Sequence, residues 1–273
     1  MSKMGKTHFG GQLYGRLDAL TNYFKIGQTP SDLSLFKQIL DSLGNGVEGE
    51  HTSVQLHDTI ILPVESKDGH HKIDIIYPDY GGEQITNIVE LRQIPENWQQ
   101  QIQNGDHWFL FIRLDLMEDI VDVTTKFYQQ IEEEEDVKEK KIHPIEDLAH
   151  NSSAFYVELL QIFLYVKKVA LPAPNKPKLT VLLSCWDKLG YAIGTLPEDA
   201  LKQKMPLLSN FIADVWGKEQ YQITGLSALG RDLDKTNPDK DYQKLGPESF
   251  GYIILPNGNR EDDITQILTS VIQ

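Results

Sequence analysis

Cysteine is almost absent from the chain: Cys185 is the only one in 273 residues. An intramolecular disulfide framework and the Cys-rich zinc patterns are therefore excluded, and a reducing, cytoplasmic setting is the expectation. Long apolar runs are missing as well. The most apolar stretch, 155–170, carries Glu158, Gln161, Lys167 and Lys168, and the N-terminus has lysines but no apolar core, so no membrane span or signal peptide is expected. Nor is there an excess of positive charge. Twenty-six Lys and Arg against 40 Asp and Glu give a formal charge of -14, and with no basic patch visible neither nucleic acid nor an anionic membrane is expected as a partner. His70 and His71 lack Cys or Asp companions at ligand spacing, so zinc is not indicated. Internal repeats are also lacking. What is present, 40% hydrophobic residues over this length, suffices for one elaborated domain spanning 1–273.

Phe9, Leu13, Leu17, Leu20 and Phe24 recur at helical spacing, which predicts a helix beginning near Gly5. A second helix is predicted over 31–43, ending at Gly44. Segments 54–64 and 72–77 read as strands, and the Asp68-Gly69 pair between them predicts an antiparallel hairpin. Beyond it helices over 85–103, 153–168, 202–216 and 262–272 alternate with strands over 108–114, 179–184 and 221–226. Such alternation predicts a three-layer α/β/α domain with a five- or six-stranded, mainly parallel sheet. The charge-rich stretch 131–150 reads as an exposed insertion, and 232–240 as a polar loop.

Gly5-Lys6-Thr7-His8 stands directly before the first helix and matches the second half of the phosphate-loop pattern Gly-x-x-x-x-Gly-Lys-Thr. Such a loop aims backbone N–H groups and the positive helix end at phosphate oxygens. Its first glycine would fall at position zero and its preceding strand is not encoded. The expectation is that Met1 is an internal start and that upstream codons supply an apolar strand ending in Gly. The plain alternative is an ordinary polar N-terminus. Asp79-Tyr80-Gly81-Gly82 gives Asp-x-x-Gly after a strand, where a carboxylate can hold a magnesium-bound water and the Gly82 amide can meet a γ-phosphate; otherwise it is a strand-ending turn. Asp187 follows a buried strand, where it can accept from two guanine N–H groups or simply start a turn. Trp186 shelters a base edge or caps the sheet. Ser227-Ala228 ends the next strand, with small residues that permit the Ala228 amide to reach the guanine O6. All four motifs fall at carboxyl ends of strands, where open α/β sheets bind ligands.

In this order the motifs resemble those of TRAFAC-class, Ras-like P-loop GTPases over nearly the whole chain. The phrases Gly-Lys-Thr-His-Phe and Leu-Leu-Ser-Cys-Trp-Asp-Lys-Leu are similar to those of the bacterial double-GTPase group. The resemblance implies GTP and GDP as ligands, Mg2+ as cofactor, and a protein effector or second GTPase domain as partner. It implies that Lys6 contacts the β- and γ-phosphates, that Thr7 and a switch threonine ligate the metal, and that Asp79 supports it through water. Hairpin symmetry about Lys67 and Asp68 favours Thr52 over Thr59 as that threonine. Ser184 and Cys185 replace the usual Asn and Lys of the base motif, and Glu83, followed by Gln84, stands where relatives place a water-orienting Gln. Slow hydrolysis is the expectation. A degenerate, non-hydrolysing interaction module and an ATP-using phosphate-loop enzyme remain as alternatives.

Overall fold

The computed structural model describes residues 5–19, 23–28, 33–49, 60–77, 82–117, 153–169 and 176–272, with the backbone alone for Leu35, Gly82 and Glu83. Its first helix, α1 (Lys6–Asp18), forms despite Gly10, Gly11 and Gly15, each of which costs about 1 kcal/mol relative to Ala in a helix. Packing supplies the reason. A Cβ on Gly11 would lie 2.6 Å from Ile39 Cγ2, and one on Gly15 would lie 3.0 Å from Leu40 Cδ2. Both neighbours belong to α2 (Ser34–Gly44), so the glycine face lets the two helix backbones approach closely. The other face of α1 buries Phe9, Leu13 and Leu17.

Between these helices lies the short strand β1 (Phe24–Ile26), which pairs antiparallel with β2 (Ile60–Ser66). The predicted hairpin follows, with β2 antiparallel to β3 (Lys72–Tyr77) and the Gly69 N–H donating to the Ser66 carbonyl at the turn. This three-stranded sheet has the order β1-β2-β3. Helices α3 (Gly82–Leu91) and α4 (Glu96–Asn104) then lead to β4 (His107–Ile112). After α5 (Ser153–Val166), the strand β5 (Lys178–Ser184) runs parallel to β4, and after α6 (Pro197–Lys204) and α7 (Pro206–Trp216), β6 (Tyr221–Ser227) runs parallel to β5. Next come α8 (Lys240–Leu245), β7 (Tyr252–Ile254), β8 (Arg260–Glu261) and the terminal turn α9 (Thr269–Ile272).

The second sheet is mixed, not mainly parallel as the alternation predicted: β6–β7 and β7–β8 are antiparallel in the order β4-β5-β6-β7-β8. A parallel neighbour needs a connection that returns the chain to the start of the sheet. Here no such return is made: β7 lies antiparallel beside β6, and β8 follows through the Asn257-Gly258 turn. Two predicted helices are each split by a proline, 85–103 before Glu96 at Pro95 and 202–216 at Pro206. The predicted helix 262–272 is a 3-10 turn (Ile264–Leu268) followed by α9.

The two faces of the five-stranded sheet carry separate cores. Leu179, Val181 and Leu183 alternate into one with Tyr156, Leu208 and Trp216, while Leu182 and Leu226 face the other with Phe9 and Leu13. No helix among the described residues is long and apolar enough to cross a membrane. Because Ile39 is 2% exposed and cannot swing away, Gly11→Val is expected to lower stability by about 1–3 kcal/mol through overpacking. Gly44→Ala is the control: nothing lies within 4 Å of its Cβ position, so urea unfolding should show it neutral or more stable.

Candidate functional site

Of the residues singled out in the sequence, Gly5, Trp186, Asp187, Ser227 and Ala228 lie at or beside the carboxyl ends of β5 and β6. Gly5 adopts φ +73°, and a Cβ built on it would stand 3.8 Å from Ser184 Cβ. The start of α1 therefore abuts the last residue of β5. Lys6 and Thr7 occupy the first turn of α1, both partly buried. His8 is buried in the same turn, and its Nε2 lies 3.6 Å from the Cβ position of Gly49 in the loop after α2.

Past Ser184 the chain turns sharply, because Cys185 takes φ +56° and opens a 3-10 turn (Trp186–Leu189) that ends at Gly190, also at positive φ. That turn presents Asp187. Consecutive Cα atoms are 3.8 Å apart, so Asp187 stands within about 11 Å of Ser184 and on the same rim as Gly5. The fully buried Ser227 hydroxyl at the end of β6 donates to Asp187 Oδ1 at 2.5 Å and accepts from the Gly230 N–H at 3.0 Å. Ala228 follows, 9% exposed. Trp186 is buried over β6, where a Cβ on Gly225 would come within 2.7 Å of its ring; the absence of that Cβ lets the indole cover the strand.

The position of α1 is fixed from below as well. Arg16, buried on the same helix, donates to the carbonyls of Phe250, Gly251 and Asp262, and Gln12 donates to Pro247 O at 3.0 Å. Burial pushes the Arg16 pKa down, and Asp263 and Asp262 oppose that shift. The helix that carries Lys6 and Thr7 is thereby tied to the loops following β6 and β8.

Other residues stand farther from that rim or outside the described part. Gly82 and Glu83 open α3, and Gln84 is exposed in its first turn. Ile85 of α3 lines the same cavity as Lys6 and Thr7. Thr52 and Asp79 lie outside the described residues. Two neighbours went unread in the sequence. Arg113, just past β4, holds Asp115 through Nε at 3.0 Å and raises the positive field at Cys185. Tyr252 of β7 sits near Asp187, its pKa raised by burial and by that carboxylate. A lone arginine after an apolar strand was the available signal for the first; the second depends on sheet order alone.

A family model described as Double-GTPase 1 matches residues 1–271. The chain belongs to the Double-GTPase 1 family. Membership places it among GTPases and implies guanine nucleotide as its ligand. No curated protein and no solved structure matches the chain. In this Double-GTPase 1 chain the turn after β5 opens at Cys185, whose thiol burial pushes up to about 11.

Two outcomes follow from the turn's geometry. At pH 8 the Cys185 thiolate should be about 100-fold rarer than for a thiol titrating near 9, so iodoacetamide should label the folded chain slowly until the pH approaches 11. Labelling that inflects near pH 9 without denaturant would contradict the burial described. Ser227→Ala should cost about 1–3 kcal/mol in urea unfolding, since it removes a donor from Asp187 and an acceptor from Gly230.

Proposed function

We propose that this rim binds GTP with Mg2+ and hydrolyses it slowly, so that the chain acts as a nucleotide-dependent switch read by a protein effector or a second GTPase domain. The observation that carries this reading is the contact of Gly5 with Ser184, beside a turn that holds Asp187 against Ser227. Polyphosphate would lie over the Gly5–Thr7 end of α1, where the positive helix end and the Lys6 ammonium favour anions. The guanine would lie toward Asp187, with its second carboxylate oxygen and the Ala228 amide as polar partners. Trp186 would hold that turn in place by its packing on Gly225.

The donor chemistry suits magnesium. A metal here would rest on the Thr7 hydroxyl, phosphate and water oxygens. Mg2+ keeps several waters and takes one or two protein ligands beside phosphates, which matches Thr7 in the first turn of α1. Thr52 and Asp79 would complete its support from the neighbouring loops. Once bound, the ion would neutralise charge on the phosphates. Gln84, or Glu83 beside it, would orient the attacking water as a hydrogen-bond acceptor. With Gln84 exposed in the first turn of α3, slow turnover is the natural consequence.

A fluorescent GTP analogue titrated with and without Mg2+ tests the reading. Binding should tighten with Mg2+ and be displaced by GTP and GDP far better than by ATP. Asp187→Ala should weaken binding by about 1.5–3 kcal/mol, roughly tenfold or more, the worth of hydrogen bonds to a charged group. Lys6→Ala should weaken the triphosphate more than the base. Equal displacement by ATP would replace this reading with an ATP-using enzyme, and no binding at all would leave a non-hydrolysing interaction module.

A further inference from the structure

Cys185 takes φ +56°, a left-handed conformation that a residue other than glycine keeps only where its surroundings impose it. Part of those surroundings comes from the end of β4. β4 and β5 pair in parallel as far as Ile112 opposite Leu183, and the Ser184 hydroxyl donates to the Ile112 carbonyl at 3.2 Å. Arg113 is the next residue, still extended, beside Ser184. The chain then forms a 3-10 turn, Leu114–Leu116, which packs against the 3-10 turn Trp186–Leu189 that presents Asp187.

Arg113 and Asp115 grip each other within the first of these turns. Nε donates to Oδ1 at 3.0 Å and Nη2 to Oδ2, a two-point fork whose side chains are 11% and 14% exposed. An ion pair this dry gives up the hydration of both charges, so net stability is a poor reason for it. Placement at the turn is a better one. Burial raises the Cys185 thiol most; Arg113 lowers it, Asp115 and Asp187 raise it, and Lys188 lowers it, so both members of the fork act on the residue that opens the turn.

We propose that Arg113 is a positioning residue for guanine recognition: braced by Asp115, it holds the left-handed start of the turn at Cys185 and so fixes the direction in which Asp187 meets the base. Its contribution is made through the turn, without contact with the nucleotide. The inference rests on the reading of Asp187 as the partner of the base, and its test separates the two.

Competition between GDP and inosine diphosphate, which lacks the exocyclic amino group of guanine, reads the direction of Asp187; iodoacetamide labelling of Cys185 at pH 9 reads the place of the fork without nucleotide. The unaltered chain should prefer GDP by about tenfold or more, the worth of one hydrogen bond to a charged group. Arg113→Gln and Asp115→Asn should each abolish most of that preference. Labelling should move in opposite directions: slower in Arg113→Gln, where the thiolate loses a nearby positive charge, and faster in Asp115→Asn, where it loses a negative one. General loosening of the turn would speed both. Arg113→Lys, which keeps the charge and loses the fork, should label as the unaltered chain does and still lose the preference, so the proposal stays testable if Arg113→Gln fails to fold. A GDP preference kept in these variants, or labelling that moves the same way in Arg113→Gln and Asp115→Asn, overturns the proposal alone. No GDP preference in the unaltered chain, with labelling still moving in opposite directions, overturns the Asp187 reading and the proposal with it.

Discussion

The docking of α1 across the ends of β5 and β6 is the constraint on which the rest depends. It is made by close approach at both ends of the helix. Gly5 meets Ser184 without a side chain between them, and Arg16 spends its buried donors on the carbonyls of Phe250, Gly251 and Asp262. Gly11 and Gly15 let α2 press against the outer side. A glycine-rich helix of this kind has little reason to exist alone, since propensity works against it. Tertiary contact makes it, and the same contact sets Lys6 and Thr7 at the rim.

The turn carrying Asp187 follows the same logic in polar terms. Ser227 is fully buried, so its hydroxyl needs partners, and it finds one donor and one acceptor in Gly230 and Asp187. One carboxylate oxygen is thereby held in a fixed direction. Trp186 lies beneath on Gly225, and Lys188 pairs with Asp232 at 2.6 Å across the mouth of the turn. Packing on one side and an ion pair on the other hold the turn in one conformation. Arg113 lies close enough to act electrostatically on Cys185, whose thiol burial keeps neutral, so the head of this turn carries a nearby positive charge.

Much of this was legible in the sequence where pattern and chemistry coincide. The β2–β3 hairpin announced itself by Asp68-Gly69, and the stripe of Phe9, Leu13 and Leu17 located the start of α1 to within a residue, but Phe24, read as part of the same stripe, belongs to β1, where it pairs opposite Ser66. The order of the motifs, and Gly5 and Ser184 at one rim, were also readable, because carboxyl ends of parallel strands share an edge. Strand direction after β6 was not. It depends on whether the chain crosses back, which no local pattern encodes, and β7 and β8 are three and two residues long. Their Asn257-Gly258 turn was a hairpin signal without strands long enough to frame it. Arg113 and Tyr252 reached the rim through sheet order, so their proximity to Cys185 and Asp187 had no sequence spacing to betray it. Pro95 and Pro206 each interrupt a helix that the surrounding sequence predicts as continuous.

The most direct measurement of the central claim is a crystal structure of the chain with a non-hydrolysable GTP analogue and Mg2+. A shared rim predicts phosphate oxygens within hydrogen-bond distance of Lys6 and Thr7 and the guanine edge on the Asp187 carboxylate. Nucleotide bound with its base away from Asp187, or its phosphates away from the start of α1, would contradict it.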